Sequence, residues 1–404
     1  MSSGGRYLNN NKNNTNHYDQ DYQEKPKKKG WLIALIVVIV LAVLITAGVF
    51  LAKHYVMGFV DSKLDLINRP ERVENELSQE ELDAILNYNP DANADIETYA
   101  PVETTEAVET TETTVPPTTE ETIHLSDIPA ENIINIMLVG QSYRPGEETK
   151  LADSMILCSI NKETKTLTMT SFLRDMYIQL PNYKGHTCGK QRINVCYNLG
   201  WKWGGDLGAM EMLNLCLYNN FGIEVDHNVE INFDSFMAII DLLGGVDIEL
   251  TEAEVEYLKD PAYNGVNDYV KPGLNTLNAE TALAYARARH LDGDIQRSGR
   301  QRKVITSLLN RARSLSISEI NSIADEILPL ITTNMSNEDI KGYLIELLPM
   351  LPELKIENGV CPAEGTYWPK TVDIGGYPAN VLEPDIYRNK VILQEIAEGI
   401  VPKN

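Results

Sequence analysis

An α/β domain, with helices layered on both sides of a central mixed sheet, is predicted for the last 270 or so residues of this 404-residue chain. Three observations predict it. Strand-length apolar runs alternate with helical patterns, the signature of a layered α/β architecture. Met155–Ile160 and Thr166–Phe172 are separated by the turn NKETK, and so form a hairpin. No internal repeat is present, and the length suits one large domain, with or without a C-terminal elaboration.

The elements follow in order. Asn132–Gly140 (NIINIMLVG) and Met155–Ile160 are continuous apolar runs, expected as buried strands. In Thr166–Phe172, Leu167, Met169 and Ser171 alternate with threonines, a strand pattern. Leu207, Met210, Leu213 and Leu217 give Asp206–Asn220 a helical face. His227–Phe233 is a strand, Asp234–Leu243 an N-capped helix ended by Gly244-Gly245, and Val246–Leu250 a further strand. Asn278 caps a short helix through Ala286, Gln296–Ser314 forms a long one, and Ile317–Leu351 supplies two more.

Ahead of this domain lie three segments. Residues 1–30 are a polar tail too poor in apolar side chains to fold. Trp31–Leu51 is 21 residues without a charge, long enough to span a bilayer, and residues 31–53 are expected as a transmembrane helix. Lys25, Lys27, Lys28 and Lys29 precede it, so the positive-inside bias puts the tail in the cytoplasm and the rest outside. Residues 54–130 are expected as a stalk with some helical periodicity, followed by an extended Thr/Glu/Pro-rich linker that self-repels. Residues 131–404 are the expected catalytic domain.

The net charge is −23, of which residues 55–130, with eighteen acids and three bases, carry −15. Such a field repels polyanions, which argues against a nucleic-acid surface. Five cysteines, Cys158, Cys188, Cys196, Cys216 and Cys361, show no CxxC or Cys/His spacing of a zinc site, and no pairing follows from their order. His186, His227 and His290 share no ligand spacing, and neither GxSxG nor GxxxxGK[ST] occurs.

Against this acidic background Arg287, Arg289, Arg297, Arg300 and Arg302 crowd into sixteen residues. If ARARH is extended, Arg287 and Arg289 leave one face of a sheet. Arg297 and Gln301, four apart, share a face of the following helix, with Arg300 beside them. Convergent planar guanidinium groups suit a compact anion such as a phosphate or diphosphate. The alternative is a set of surface salt bridges with Asp292 and Asp294. Asp153 just before a strand, and Asp175 just after one beside Arg174, are placed to hold Mg²⁺ against phosphate oxygens. Read alone, Asp153 is equally a strand-entry residue and Asp175 an ion-pair partner of Arg174. Trp201 and Trp203 form either a sugar-stacking lip or ordinary packing.

The segments NIMLVG, LADSMILCSINKETKTLTMTSFLRDMYIQLP, RIN (Arg192–Asn194), FDSFMAIIDLLGGVDIEL and PGLNTLNAETALAYARARHLDGDIQRSGRQRKVI resemble, in order, the LytR-CpsA-Psr family. The resemblance covers roughly residues 132–315 and implies a cell-wall enzyme of Gram-positive bacteria. Such enzymes attach polyprenyl-diphosphate-linked glycopolymers, of teichoic acid or capsule type, to peptidoglycan through a phosphodiester. It further implies that Asp153 is the metal-binding aspartate, with Mg²⁺ as cofactor, and that Arg174 and Asp175 are the RD pair. Arg287 and Arg289 then match the paired diphosphate-binding arginines, and Arg297 and Gln301 the last arginine and glutamine of the site. One departure is Gly140-Gln141-Ser142, where relatives often carry G-x-D: Ser142 brings no charge, and Glu147 or Glu148 is a candidate replacement. The carrier's tail needs an apolar trough, for which Met210–Leu217 is a candidate lining, although ordinary core is the safer reading of that helix. Two other activities fit the same pocket: hydrolysis of a polyprenyl diphosphate, and non-catalytic binding of wall precursors.

Overall fold

The structure, a computed structural model, describes residues 63–89, 132–142, 146–182, 185–260 and 269–397. They belong to one compact unit, Gly58–Asn404. The expected cytoplasmic tail, transmembrane helix and Thr/Glu/Pro-rich linker lie outside the described residues. No helix among the described residues is long and apolar enough to cross a membrane.

Helix α1 (Gln79–Leu86) is started by a capping box between Ser78 and Glu81. Strands β1 (Ile133–Gln141), β2 (Ala152–Asn161) and β3 (Thr166–Phe172) form an antiparallel meander, and the hairpin bounds at Thr166 and Phe172 are those expected. A short ribbon follows, β4 (Tyr177–Gln179) and β5 (Lys190–Arg192), leading into α2 (Ile193–Phe221). Next come β6 (His227–Ile231), α3 (Phe233–Leu242), β7 (Val246–Leu250), α4 (Glu252–Lys259) and β8 (Gly273–Leu277). Then α5 (Ala279–Arg287), α6 (Asp294–Ser314), α7 (Ile317–Ile327), β9 (Thr332–Thr333) and α8 (Asn337–Leu347) carry the chain on. The last elements are β10 (Lys355–Cys361), a hairpin of β11 (Tyr367–Ile374) and β12 (Tyr377–Pro384), and α9 (Ile386–Ala397).

The central sheet has the order β10-β3-β2-β1-β6-β9. It is mixed, because β6 joins β1 and β10 joins β3 in parallel while the other pairs are antiparallel. One face packs on α2 and α9 through a core that includes Met137, Met155, Leu157, Leu213 and Leu393. The opposite face, with Ile156, Leu167 and Met169, packs on Ile305 and Leu309 of α6. A second apolar cluster ties α3, α4, α5 and the β7–β8 ribbon to Val304. The α/β/α layering expected from the sequence is therefore present.

Part of the expected stalk belongs to this core. Leu82 and Ile85 of α1 are buried with the α2 side of the sheet, and Asn75 N–H donates to Trp203 O at 2.8 Å. Arg69 Nε donates to Met335 O at 2.8 Å, and Asn68 bridges to Thr332.

Helix α2 is not one rod. Gly204 and Gly205 leave helical geometry, Gly205 at φ 63° and ψ −157°, and the chain folds back as a helical hairpin. Its limbs meet at Gly200 and Gly208 so closely that a Cβ on Gly200 would lie 2.6 Å from Met212 Cβ and 2.8 Å from Ala209 Cα. The contact is with backbone on both sides and cannot be relieved by turning a side chain. Gly200→Ala is expected to destabilise the domain by about 1–3 kcal/mol through overpacking, read as a lower urea midpoint at unchanged slope.

Candidate active site

The site lies where the carboxyl end of β1, the start of β2 and the turn after β3 meet the start of α6. In the β1–β2 ladder Gly140 pairs with Ser154 but Gln141 with Ala152, which leaves Asp153 as the extra residue of a β-bulge. Bulges of this kind re-aim a side chain. Here the Asp153 carboxylate reaches Arg174, whose Nη1 donates to Oδ1 at 2.9 Å.

Arg174 and Asp175 follow β3 in a turn closed by Met176 N–H donating to Leu173 O. Three guanidinium groups face Asp175. Arg289 Nη2 donates to Oδ2 at 3.1 Å, while Arg174 Nε and Arg192 Nε stand 3.6 and 3.7 Å from Oδ1. Asp294, the first residue of α6, takes Arg289 Nε at 3.4 Å and Arg297 Nη2 at 2.8 Å around one oxygen. Arg297 Nη2 also donates to Asp153 O at 3.2 Å. Gln301, one turn further along α6, accepts from Ser154 Oγ at 3.0 Å. Four arginines thus interleave with three carboxylates, and the chain's own charges pre-set the guanidinium planes.

Burial opposes the charge on Arg174, but Asp175, Asp153 and Asp294 outweigh it and hold the group above the usual arginine range. Arg297 is lowered, chiefly by burial with Arg174 adding repulsion, and Asp294 works against both.

The expected residues Asp153, Arg174, Asp175, Arg289, Arg297 and Gln301 are thus brought to one place. Arg287 is not in their ion-pair network. Its guanidinium lies over the Phe233 ring, 5.0 Å from the centroid, on the wall of an adjoining cavity. The expected extended ARARH is a correction: Arg287 is the last residue of α5, Ala288 is its C-cap, and only Arg289 lies beyond. The cause is local, since Asn278 accepts from Thr281 N–H to start a helix that Ala282, Ala284 and Ala286 favour. Arg300 and Arg302 are also outside the network. Arg300 is buried between Glu254, Asp292 and the Ala288 carbonyl, whereas Arg302 donates to Ser171 Oγ at 2.5 Å and is pulled down to about 10 by burial.

Two residues gain a place the sequence reading did not give them. Arg192, read only as part of RIN, is fully buried beside Asp175 and donates from Nη2 to Asn380 O at 3.1 Å. Asp294, read as a surface salt-bridge partner, has its side chain 12% exposed and sits between two site arginines. Its position three residues before Arg297 on a helix was the signal available.

The cavity beside the arginines has a volume of about 940 Å³. Asp153, Arg174, Arg289 and Arg297 supply charged groups to its lining, and Val229, Phe236, Leu283 and Leu308 apolar ones. Met210–Leu217 contributes nothing to this cavity: Met210, Leu213 and Leu217 are completely buried, as ordinary core, on the side of α2 that packs toward the sheet and α9, while Leu215 is exposed. Trp203 is likewise buried and stacks on His186, so it forms no lip. Ser142 lines the cavity, while Glu147 and Glu148 are exposed and are not among its lining residues.

One cavity thus joins guanidinium groups framed by carboxylates to an apolar lining, an arrangement with room for an anionic group beside an apolar one. Residues 98–368 match the model of the LytR_cpsA_psr family, and the chain belongs to that family. It is 30% identical over 265 residues to Biofilm regulatory protein A of Streptococcus mutans, covering 61% of this chain and 60% of that protein. It is 32% identical over 206 residues to the Bacillus subtilis protein named polyisoprenyl-teichoic acid–peptidoglycan teichoic acid transferase TagV, covering 50% of this chain and 49% of that one. The chain therefore spans less than two thirds of the length of these relatives. The fold also matches protein gbs0355 from Streptococcus agalactiae, at 26% identity and a TM-score of 0.53, over 68% of this chain and 89% of that one. TagT bound to LIIa-WTA shares the fold, at a TM-score of 0.50 and 21% identity, over 68% of this chain and 92% of that one.

Proposed function

We propose that the protein is a membrane-anchored, extracytoplasmic phosphotransferase, which moves a glycopolymer phosphate from a polyprenyl diphosphate to a hydroxyl of peptidoglycan. The observation that carries this reading is the join of Arg174, Arg289 and Arg297, which we read as the mouth, to the apolar side chains of the same cavity. That join suits a diphosphate at the mouth and a prenyl chain within. The names of relatives such as TagV favour a teichoic acid polymer. The anchor is the uncharged run Trp31–Leu51.

In the reaction the acceptor hydroxyl oxygen attacks the phosphorus that bears the glycan, and the bond from that phosphorus to the bridging oxygen breaks. Prenyl monophosphate departs with the bonding electron pair. Arg174, Arg289 and Arg297 stabilise the charge growing on the phosphates, and fixed donors of this kind need no reorganisation as the charge develops. Asp175 accepts the hydroxyl proton at Oδ2, which Arg289 orients.

Among the described residues no group of three or more His, Cys, Asp or Glu side chains gathers to hold a metal. Mg²⁺ commonly takes one or two protein carboxylates and completes its shell with phosphate and water. Asp153, with Ser142 on the same cavity wall, fits that pattern as the holding carboxylate. Asp175, also expected as a ligand, faces three guanidinium groups. When bound, the ion would neutralise phosphate charge beside Arg174.

The test is incubation of the full-length protein in detergent with a polyprenyl-diphosphate glycan and peptidoglycan fragments. Release of prenyl monophosphate with a phosphodiester-linked product is expected. Release without transfer would make the enzyme a phosphatase, and no release would leave only binding. The cavity's role has its own test. Ala284 lines the cavity, and Ala284→Trp is expected to raise KM about tenfold for long-chain donors while sparing short-chain analogues, since an indole fills space the chain needs.

A further inference from the structure

The C-terminal hairpin does more than close the fold. The family match ends at residue 368, so nearly all of β11–β12 lies beyond it. Yet Leu382 N–H donates to Asp175 O at 3.0 Å, and Met176 bridges Leu382 in parallel. The hairpin thereby extends the β4–β5 ribbon into a layer ordered β11-β12-β4-β5, with Asp175 at the head of the β4 segment.

Register fixes which side chains share a face. Tyr177 pairs with Arg192 and Gln179 with Lys190, while Trp368 pairs with Glu383. Alternation then sets Asp175, Tyr177, Lys190, Glu383, Lys370 and Trp368 on one face. The contacts agree, for Lys190 and Lys370 reach the two oxygens of Glu383 at 3.1 and 2.8 Å. In the middle of this face Tyr177 packs on the small apolar cluster of Ile374, Ala379 and Val381. Its outer part is open: Trp368 is 58% exposed and both lysine side chains are 49% exposed.

We propose that this face is the docking surface for the acceptor, an amino-sugar glycan strand bearing peptide carboxylates; this rests on the transferase reading above. Trp368 offers a flat apolar plane for a sugar ring, with polar groups around it. Lys190 and Lys370, held side by side by Glu383, leave a net positive charge for carboxylates in a chain of net charge −23. The strip runs toward Asp175, so a strand lying along it brings a hydroxyl to the proton acceptor. The donor enters elsewhere, from the cavity bounded by α3, α5 and α6.

The experiment compares wild type with Trp368→Ala and with Lys190→Ala/Lys370→Ala, using a purified disaccharide-peptide fragment of peptidoglycan as probe. Binding is read by NMR line broadening of the fragment and transfer by steady-state kinetics. Trp368→Ala is expected to weaken fragment binding and raise the acceptor KM about tenfold, with donor KM unmoved. The double lysine variant is expected to lose preference for fragments with free carboxylates. Wild-type binding in both variants would overturn the surface, even if transfer is observed. Fragment binding that depends on Trp368 in a protein that performs no transfer would sustain the surface while sinking the transferase reading.

Discussion

Arg289→Ala is expected to lower kcat/KM for transfer by about 10²–10³-fold without unfolding the domain. Arg289 touches both Asp175 and Asp294. Its loss removes a fork aimed at the phosphates and also frees the proton acceptor from its orienting donor. Arg289→Lys keeps the charge but not the two-pronged geometry, and should recover only part of the rate. Arg287→Ala should act differently, because Arg287 rests on Phe233 and makes no ion pair with the site carboxylates. Its effect should fall on donor KM. Steady-state kinetics on both variants, with thermal melts as a control, decide the matter: a wild-type rate in Arg289→Ala removes the assignment of the mouth.

Arg300→Ala, eleven residues along, should do the opposite, costing about 3–5 kcal/mol of stability with little change in donor KM. Arg300 is buried, and Nε donates to Glu254 Oε1 at 3.1 Å while a second arm pairs with Asp292 and a third holds the Ala288 carbonyl. Truncation would strand a buried carboxylate on α4. Glu254 also shows a pH signature. Burial opposes its charge, but the Thr251 amide and Arg300 overcome this and lower its affinity for protons. A group lowered in the folded state contributes stability above its unfolded value, near 4.3, and loses it as pH falls through the folded value. Wild type should therefore lose melting temperature below about pH 4.3 more steeply than Arg300→Ala. Parallel melting curves for the two would refute the pairing.

The sequence and the structure agree where local signals suffice. The β2–β3 hairpin was legible because alternation and a five-residue polar turn both mark it. Arg297 and Gln301 were legible as a pair because a four-residue spacing on a helix needs no tertiary knowledge. ARARH was not, since an i, i+2 pair looks the same in a strand and at a helix end, and the helix capped by Asn278 runs one residue past the expected Ala286 to take in Arg287. The bulge at Asp153 depends on which residue β1 presents opposite, which no single strand reveals. The terminal hairpin was hidden by Pro369, on the edge strand β11, and by Pro378 and Pro384, near the two ends of β12, since proline argues against a strand except at an edge or an end. The cavity is assembled from three strands and four helices, so no one segment announced it. Of the two readings of Met210–Leu217 the structure bears out ordinary core over the trough, since apolar periodicity tells how much a helix buries, not against what.

The family match begins at residue 98, but the body of the protein does not. Leu82 and Ile85 are inserted among core side chains, and Asn75 is latched to the tip of the helical hairpin by its N–H and its side-chain amide. A recombinant fragment trimmed to the matched region would bare a greasy socket where α1 sat. Such a fragment should aggregate on purification, whereas one starting before Lys63 should stay monodisperse.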